Sequence, residues 1–569
     1  MSEQMQIRTE FPNPQEQRSC WQTLNGYWDF RFGEETAYMR KINVPFAYQC
    51  ELSGINDKAV HKEVWYKREF ELNEELKKAK RIRLRFLACD YQTTVWVNGR
   101  FATSHTGGYG AFSADITDYL KPSGAQEIEI RVYDDLSANV PRGKQDWNEQ
   151  TSRCWYYQTT GIWQSVWMEG YGEDYITSIR ITPDVERTTA EFELELAEGI
   201  ADEACAKVTT PDSRSYEFSC GIGNRKRIKL LTSYEKPDLI WDGHLWSPEH
   251  PNLYRVQLTL KKDGETVDEV KTYFAFRKIH SADGKIYLND MPVKFKLVLD
   301  QGYWRNGGMT APSCESLKED ILLAKQYGFN GARKHQKVED PYFYYYADVL
   351  GFFTWAETPS GYIFDRREIA ELTRLQMELI DKVYNHPSVV AYVPFNESWG
   401  IKEVLHNQAQ QNLARSIYHL CKALDRNRLV VTNDGWENLE LTDIVGVHDY
   451  APYGENFKTD YVAIDGASCP AGRRIMAEGE QIGDKPVMLT EFGGIAMTSE
   501  SGWGYGRQET SKTEFITRLK KLMENLEQTE VVGWCYTQLT DVEQEVNGLL
   551  DTDHKPKFSL EEIEDIFKR

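Results

Sequence analysis

From Trp21 to about Gly170 the chain alternates apolar and polar residues in short runs split by turn residues: Gly26–Phe32, Glu63–Leu72, Arg81–Phe86, Thr93–Val97 and Glu127–Tyr133. A period of two with β-branched and aromatic residues predicts strands of a sandwich, and Asn98-Gly99 directly after a strand predicts a two-residue hairpin turn. A second β-rich stretch runs from about Glu173 to Lys278, with Ser178–Thr182, Glu191–Glu195 and Leu253–Leu260 as strands, and its length suits an immunoglobulin-like module. After Lys278 the texture changes. Continuous apolar runs at Val293–Leu299, Phe329–Arg333, Phe352–Ala356, Val389–Pro394, Leu429–Thr432, Ile444–Val447, Pro486–Thr490 and Val531–Tyr536 alternate with helical patterns such as Ser316–Tyr327, Arg366–Tyr384, Glu403–Leu424 and Lys512–Leu526. Eight such runs predict a (β/α)₈ barrel, with an open doubly wound sheet as the alternative. The absence of a glycine-rich phosphate fingerprint after any run weakens that alternative.

Composition narrows the function classes. A net charge of −21 over 569 residues argues against nucleic acid as a partner. The start, Met1 to Glu10, is polar and lacks the apolar core of a signal peptide, and no apolar run is long enough for a membrane span, so a cytoplasmic protein with no membrane partner is expected. Ten cysteines without paired spacing predict free thiols and no metal or other cofactor. Aromatic residues make up 13% of the chain, and such rings grip sugar faces as well as fill β-sheet cores.

In a barrel the reactive groups gather at the carboxyl ends of the strands. Two apolar runs end in glutamate there: Val389-Val-Ala-Tyr-Val-Pro-Phe-Asn-Glu397 after the fourth strand and Val487-Met-Leu-Thr-Glu491 after the seventh. Facing acids at a barrel mouth are what glycosidic cleavage needs, one to protonate the leaving oxygen and one to attack the anomeric carbon.

At these residues the chain resembles glycoside hydrolase family 2. Asn396-Glu-Ser-Trp-Gly400 is similar to the family's acid/base motif and Thr490-Glu-Phe-Gly-Gly494 to its nucleophile motif. Leu24–Phe30, Val64–Arg68, Val95–Gly99 and Gly161–Trp163 resemble its sugar-binding sandwich, and Trp246–Pro248 with Pro251–Tyr254 its immunoglobulin-like domain. The resemblance implies three domains: a jelly-roll-like sandwich over 1–172, an immunoglobulin-like sandwich over 173–280 and a catalytic barrel over 281–569. It also implies a retaining exo-β-glycosidase without a cofactor, acting on a glycoside or oligosaccharide, compatible with a homo-oligomer.

The same resemblance assigns roles. Glu397 would be the acid/base and Glu491 the nucleophile. Asn396 would bond the sugar 2-hydroxyl, Tyr450 would bond the nucleophile, and Trp534 would form the apolar floor of the sugar site. Asp300, His448 and Trp436 are further candidates at strand ends. Many members carry Arg-x-Ser-His after the second strand; here the chain reads Arg333-Lys-His335, so Arg333 is expected beside Glu491 while His335 stands nearer the arginine. Trp503, in the glycine-punctuated loop Ser501–Gly506, is expected on a lid closing over the sugar through Gly502, Gly504 and Gly506. Hexuronidases of the family carry Asn-x-Lys after the eighth strand. Here Glu543-Gln-Glu-Val-Asn-Gly548 offers acids that would repel an anionic sugar. A galactoside-like neutral sugar is therefore expected, with an arabinoside, a hexuronide or a non-catalytic carbohydrate-binding protein as alternatives.

Overall fold

The structure is a computed structural model that describes residues 7–234, 244–461, 464–499 and 502–568. Met1 to Gln6 and Ser501, on which the signal-peptide reading and the start of the lid rest, lie outside them.

The first region is a sandwich. A six-stranded sheet holds Gly26–Phe32, Glu63–Phe70, Gln126–Tyr133 and Gln92–Val97 at its centre, and a four-stranded sheet faces it with Arg81–Phe86 and Val166–Tyr171. The alternation is visible in burial, since every second residue of Gln126–Tyr133 turns into a core with Trp28, Phe30, Tyr66 and Leu84. Asn98 and Gly99 both have positive φ, 50° and 76°, as a tight hairpin turn requires. The second region packs a three-stranded and a four-stranded antiparallel sheet around Phe192, Leu194, Val256 and Leu258.

The third region holds eight parallel strands: Phe295–Asp300, Gly331–Lys334, Phe353–Glu357, Val389–Val393, Leu429–Val430, Val445–Asp449, Val487–Gly493 and Gly533–Thr537. Numbered along the chain, they lie in the order 5-4-3-2-1-8-7-6. Between the fifth and sixth strands the backbone of Asp443 donates to Val430 O at 2.8 Å and its carboxylate accepts from Val430 N at 2.8 Å, so a side chain does part of the closing. The helices Cys314–Gln326, Arg366–Val383, Gln408–Leu424 and Lys512–Leu526 pack outside, the first three of these after N-caps Ser313, Asp365 and Asn407.

Two apolar shells result. Inside the barrel lie Phe295, Leu297, Leu299, Phe353, Trp355, Val390 and Cys535, sealed at the amino-terminal end by Trp246, Ala275 and the Ile279–Leu288 hairpin. Outside, between strands and helices, lie Val298, Ala332, Tyr392, Trp534 and Tyr536. This seal leaves the carboxyl ends as the open face, where Arg333 and Glu357 stand on top of the inner core.

Candidate active site

Glu397 is presented by a bent turn. Phe395–Asn396 pairs in parallel with Asn433–Asp434, the continuation of the fifth strand, and the chain then turns through left-handed residues Glu397 (φ 50°) and Ser398 (φ 58°). Left-handed backbone costs a non-glycine residue roughly 1–2 kcal/mol. Glu397 N donates to Asp434 O at 2.8 Å, Ser398 N to Asn433 Oδ1 at 3.1 Å and Trp399 N to Asn396 O at 2.8 Å, which offsets that cost. The result points the Glu397 carboxylate into the barrel mouth with its side chain 18% exposed.

Glu491 sits deeper, its side chain 6% exposed. Arg333 Nη1 donates to its Oε1 at 2.9 Å and the Tyr450 hydroxyl to its Oε2 at 2.5 Å. Burial alone would raise its pKa, but His448, Arg333, His335 and the Tyr450 hydroxyl hold it below the ordinary carboxylate value. Arg333 is fully buried and shared with two more acids, Glu357 at 2.9 Å and Asp434 at 2.8 Å, and it also donates to the Asn396 side-chain oxygen. Burial opposes ionisation of Glu357 and Asp434, yet Arg333 with His335 in one case and His448 in the other brings both down to about 2. The Nδ2 of Asn396 is left buried with no partner, a donor aimed at nothing in the protein.

His448 is the hub. Its Nδ1 lies 2.9 Å from Glu397 Oε1 and 3.5 Å from Glu491 Oε2, and its Nε2 lies 3.5 Å from Asp434. Burial by itself would lower its pKa, but Glu491, Asp434 and Glu397 together raise it to about 10. Donor atoms of Glu397, His448 and Glu491 all lie within 4.8 Å of one another. Three such groups could hold a metal ion, and the same three are joined to one another through the His448 ring.

Aromatic rings wall the mouth. Tyr505 stacks on Tyr450 at 3.4 Å between centroids, and Trp503 stands 5.4 Å from Tyr505. Trp436 packs edge-on to His448 at 5.4 Å, and Trp399 faces His335 at 6.0 Å. The opposite wall belongs to the first sandwich, whose segment 134–160 straps across the barrel loops. Gly143 N donates to Ser360 O at 3.0 Å, Trp155 Nε1 to the Tyr362 hydroxyl at 2.7 Å and the Tyr156 hydroxyl to Glu545 at 2.7 Å.

The expected site residues divide into those the structure brings together and those it does not. Glu397, Glu491, Asn396, Tyr450, Arg333 and His448 form one bonded cluster, and His335 joins it with Nδ1 3.1 Å from Glu357 and 3.2 Å from Arg333 Nη2. Trp436 lines the mouth. Trp534 does not form a floor. Its ring points outward between the barrel and the helix Leu560–Phe567, 5.9 Å from Phe329 and 5.8 Å from Phe567, because the neighbouring Cys535 takes the inward position. Asp300 is also withdrawn from a ligand, its carboxylate held by Lys334 Nζ at 2.7 Å and Gly302 N at 2.8 Å. The Trp503 loop is fastened rather than free: Trp503 Nε1 donates to Arg153 O and Trp503 N to Gln544 O, each at 2.8 Å.

Sequence reasoning passed over Glu357, Asp434 and Lys144, and included Tyr505 only as the second ring of the Trp503 loop. Glu357 ends the run Phe352-Phe-Thr-Trp-Ala-Glu357, the same context that marked Glu397 and Glu491, so its signal was present. Lys144, on the strap, had none.

Comparison with known proteins agrees with this architecture. The description "Glycosyl hydrolases family 2, sugar binding domain" matches residues 21–168, "Glycosyl hydrolases family 2" residues 174–277, and "Glycosyl hydrolases family 2, TIM barrel domain" residues 279–569. The chain is 26% identical over 453 residues to a putative beta-glucuronidase of Formosa agariphila, covering 77% of this chain and 53% of that one. It is 24% identical over 375 residues to a beta-galactosidase of Thermoanaerobacter pseudethanolicus, covering 64% and 47%. The chain thus spans about half the length of these curated relatives. In fold it matches the solved beta-D-glucuronidase of Dictyoglomus thermophilum with a TM-score of 0.78 at 18% identity, covering 98% of each chain. Three family descriptions in unbroken order, over two β domains and a barrel with buried acids at its mouth, establish that the chain belongs to glycosyl hydrolase family 2.

Proposed function

We propose that the chain is a retaining exo-β-glycosidase with Glu397 as general acid/base and Glu491 as nucleophile, acting on a neutral, galactoside-like sugar. The observation that carries this reading is the close approach of the two carboxylates, whose facing oxygens lie within 4.8 Å. Retaining enzymes hold their carboxyl groups about 5–5.5 Å apart, whereas inverting ones need about 6.5–9.5 Å to admit a water between them. Arg333 and Tyr450 keep Glu491 ionised for attack at the anomeric carbon. Glu397, nearer solvent, gives its proton to the leaving oxygen, then as carboxylate takes one from the water that cleaves the glycosyl-enzyme. The orphan Nδ2 of Asn396 supplies a donor for a ring hydroxyl beside the reacting carbon. The strap across the mouth supports a pocket for one terminal sugar over an open groove.

A hexuronide is the second reading, favoured by relatives named beta-glucuronidase. Against it stands the buried Glu545, whose oxygens are bonded to Tyr156 on the strap and to Asn547. The test is a panel of nitrophenyl β-galactoside, β-glucoside, α-L-arabinoside and β-glucuronide, followed by Glu491→Ala with azide on the best of them. The expected result is highest kcat/KM on a neutral sugar and, in the variant, loss of turnover by about 10³-fold or more with rescue to a glycosyl azide of inverted configuration. Preference for the glucuronide would overturn the neutral-sugar assignment; an azide product of retained configuration would overturn the nucleophile.

A further inference from the structure

The cations of the barrel mouth are almost all paired. Arg333 serves Glu357, Asp434 and Glu491; His448 serves Glu397 and Asp434; Lys334 and Lys337 are locked to Glu339. Lys144 differs. It belongs to the first sandwich and is 4% exposed, yet among the described residues its ammonium makes no ion pair with a carboxylate. The Nζ stands 5.3 Å from the Trp399 ring centroid and 5.7 Å from that of Tyr156, so it lies between the residue two beyond Glu397 and the tyrosine that binds Glu545. The groups that act on it are Cys154, with which it shares a hydrogen bond, and the carboxylates of Glu545, Glu491 and Glu397. Burial disfavours its charge, but those four neighbours outweigh burial, so it remains an ammonium.

Its position is fixed by backbone rather than by its own charge. Tyr156 N donates to Lys144 O at 2.8 Å, Asp146 N to Tyr156 O at 2.8 Å, and the flanking Arg142 and Gly143 amides both bond Ser360 O. An ammonium carries three donors; Cys154 engages one, and the hydroxyl of a bound sugar could accept from another.

We propose that Lys144 is a specificity-determining residue that donates to a hydroxyl of the terminal sugar held over Glu491, so that the first sandwich domain takes part in choosing the substrate. This rests on the glycosidase reading above and adds to it a contact outside the barrel.

The experiment crosses Lys144→Met with substrates lacking single hydroxyls: the best nitrophenyl glycoside of the unaltered enzyme and its 3-, 4- and 6-deoxy analogues. A hydrogen bond from a charged donor predicts that Lys144→Met loses about 10- to 100-fold in kcat/KM on the parent glycoside and little on the one analogue whose missing hydroxyl was the partner. Lys144→Arg should recover part of the loss, and the melting temperature of each variant reports folding separately. Equal losses on the parent and all analogues, or no loss at all, would overturn the proposal while leaving the two carboxylates in their roles. Absence of turnover by the unaltered enzyme on every glycoside would instead remove the glycosidase reading beneath it.

Discussion

At the scale of single residues the site is a problem in charge balance. Three buried acids, Glu357, Asp434 and Glu491, and the partly exposed Glu397 are held apart by Arg333 and an imidazolium at His448. The His448 pKa of about 10 exceeds its ordinary 6.5, so its charge contributes stability that is fully present below about pH 6.5 and is lost as pH rises through about 10. His448→Gln should therefore lower the melting temperature near neutral pH and flatten its decline between these two values; a decline as steep as in the unaltered protein would show that another group titrates there. Sequence reading reached the two motif glutamates because each follows an apolar run whose end must lie at the barrel mouth, and it reached Arg333 and Tyr450 through the family resemblance. It gave His448 too small a part, since nothing in Ile444–Tyr450 reveals that three carboxylates converge on that ring from other strands.

Among elements, the eight strands were legible because a strand buried on both faces reads as an unbroken apolar run. The same property hid their facing. With apolar residues on both sides, parity carries no polar marker, and Trp534 was assigned to the inside where Cys535 sits. The loops were hardest to read, because irregular backbone has no period. The loop bearing Trp503 shows what that omission costs: its glycines suggested a moving lid, whereas Val546 N donates to Trp503 O at 2.9 Å and Tyr505 N to Gly494 O at 2.8 Å, tying it to the eighth-strand loop and to the end of the seventh strand. Trp503→Ala removes one bond to the strap and an aromatic neighbour of Tyr505. It should reduce kcat/KM by about 3- to 10-fold, mainly through KM, with a modest fall in melting temperature. Unchanged kinetics on every glycoside cleaved would mean that the ring braces nothing the substrate feels.

For the whole molecule, the domains are joined by more than the chain. The second sandwich anchors Arg277 on the backbone carbonyls of Pro387, Asn427 and Val389, and Asn385 bridges Ile179 and Ile181. Trp246 seals the barrel floor, and the strap completes its mouth. Residues 281–569 expressed alone should accordingly lose at least about 10²-fold in kcat/KM and melt at lower temperature, because both ends of the barrel would be open to water; activity equal to the full chain would show that the mouth works without the strap. The strap also divides the labour of the polypeptide. The facing acids Glu397 and Glu491 stand at the ends of barrel strands, whose register tolerates little change, while Lys144 and Trp155 hang from a loop of another domain that meets the barrel only at its loops and can vary without breaking the hydrogen bonds between barrel strands. Diversification of such a protein can then proceed by editing one domain's loop against another domain's fixed chemistry, so that new sugars are acquired without reinventing the reaction.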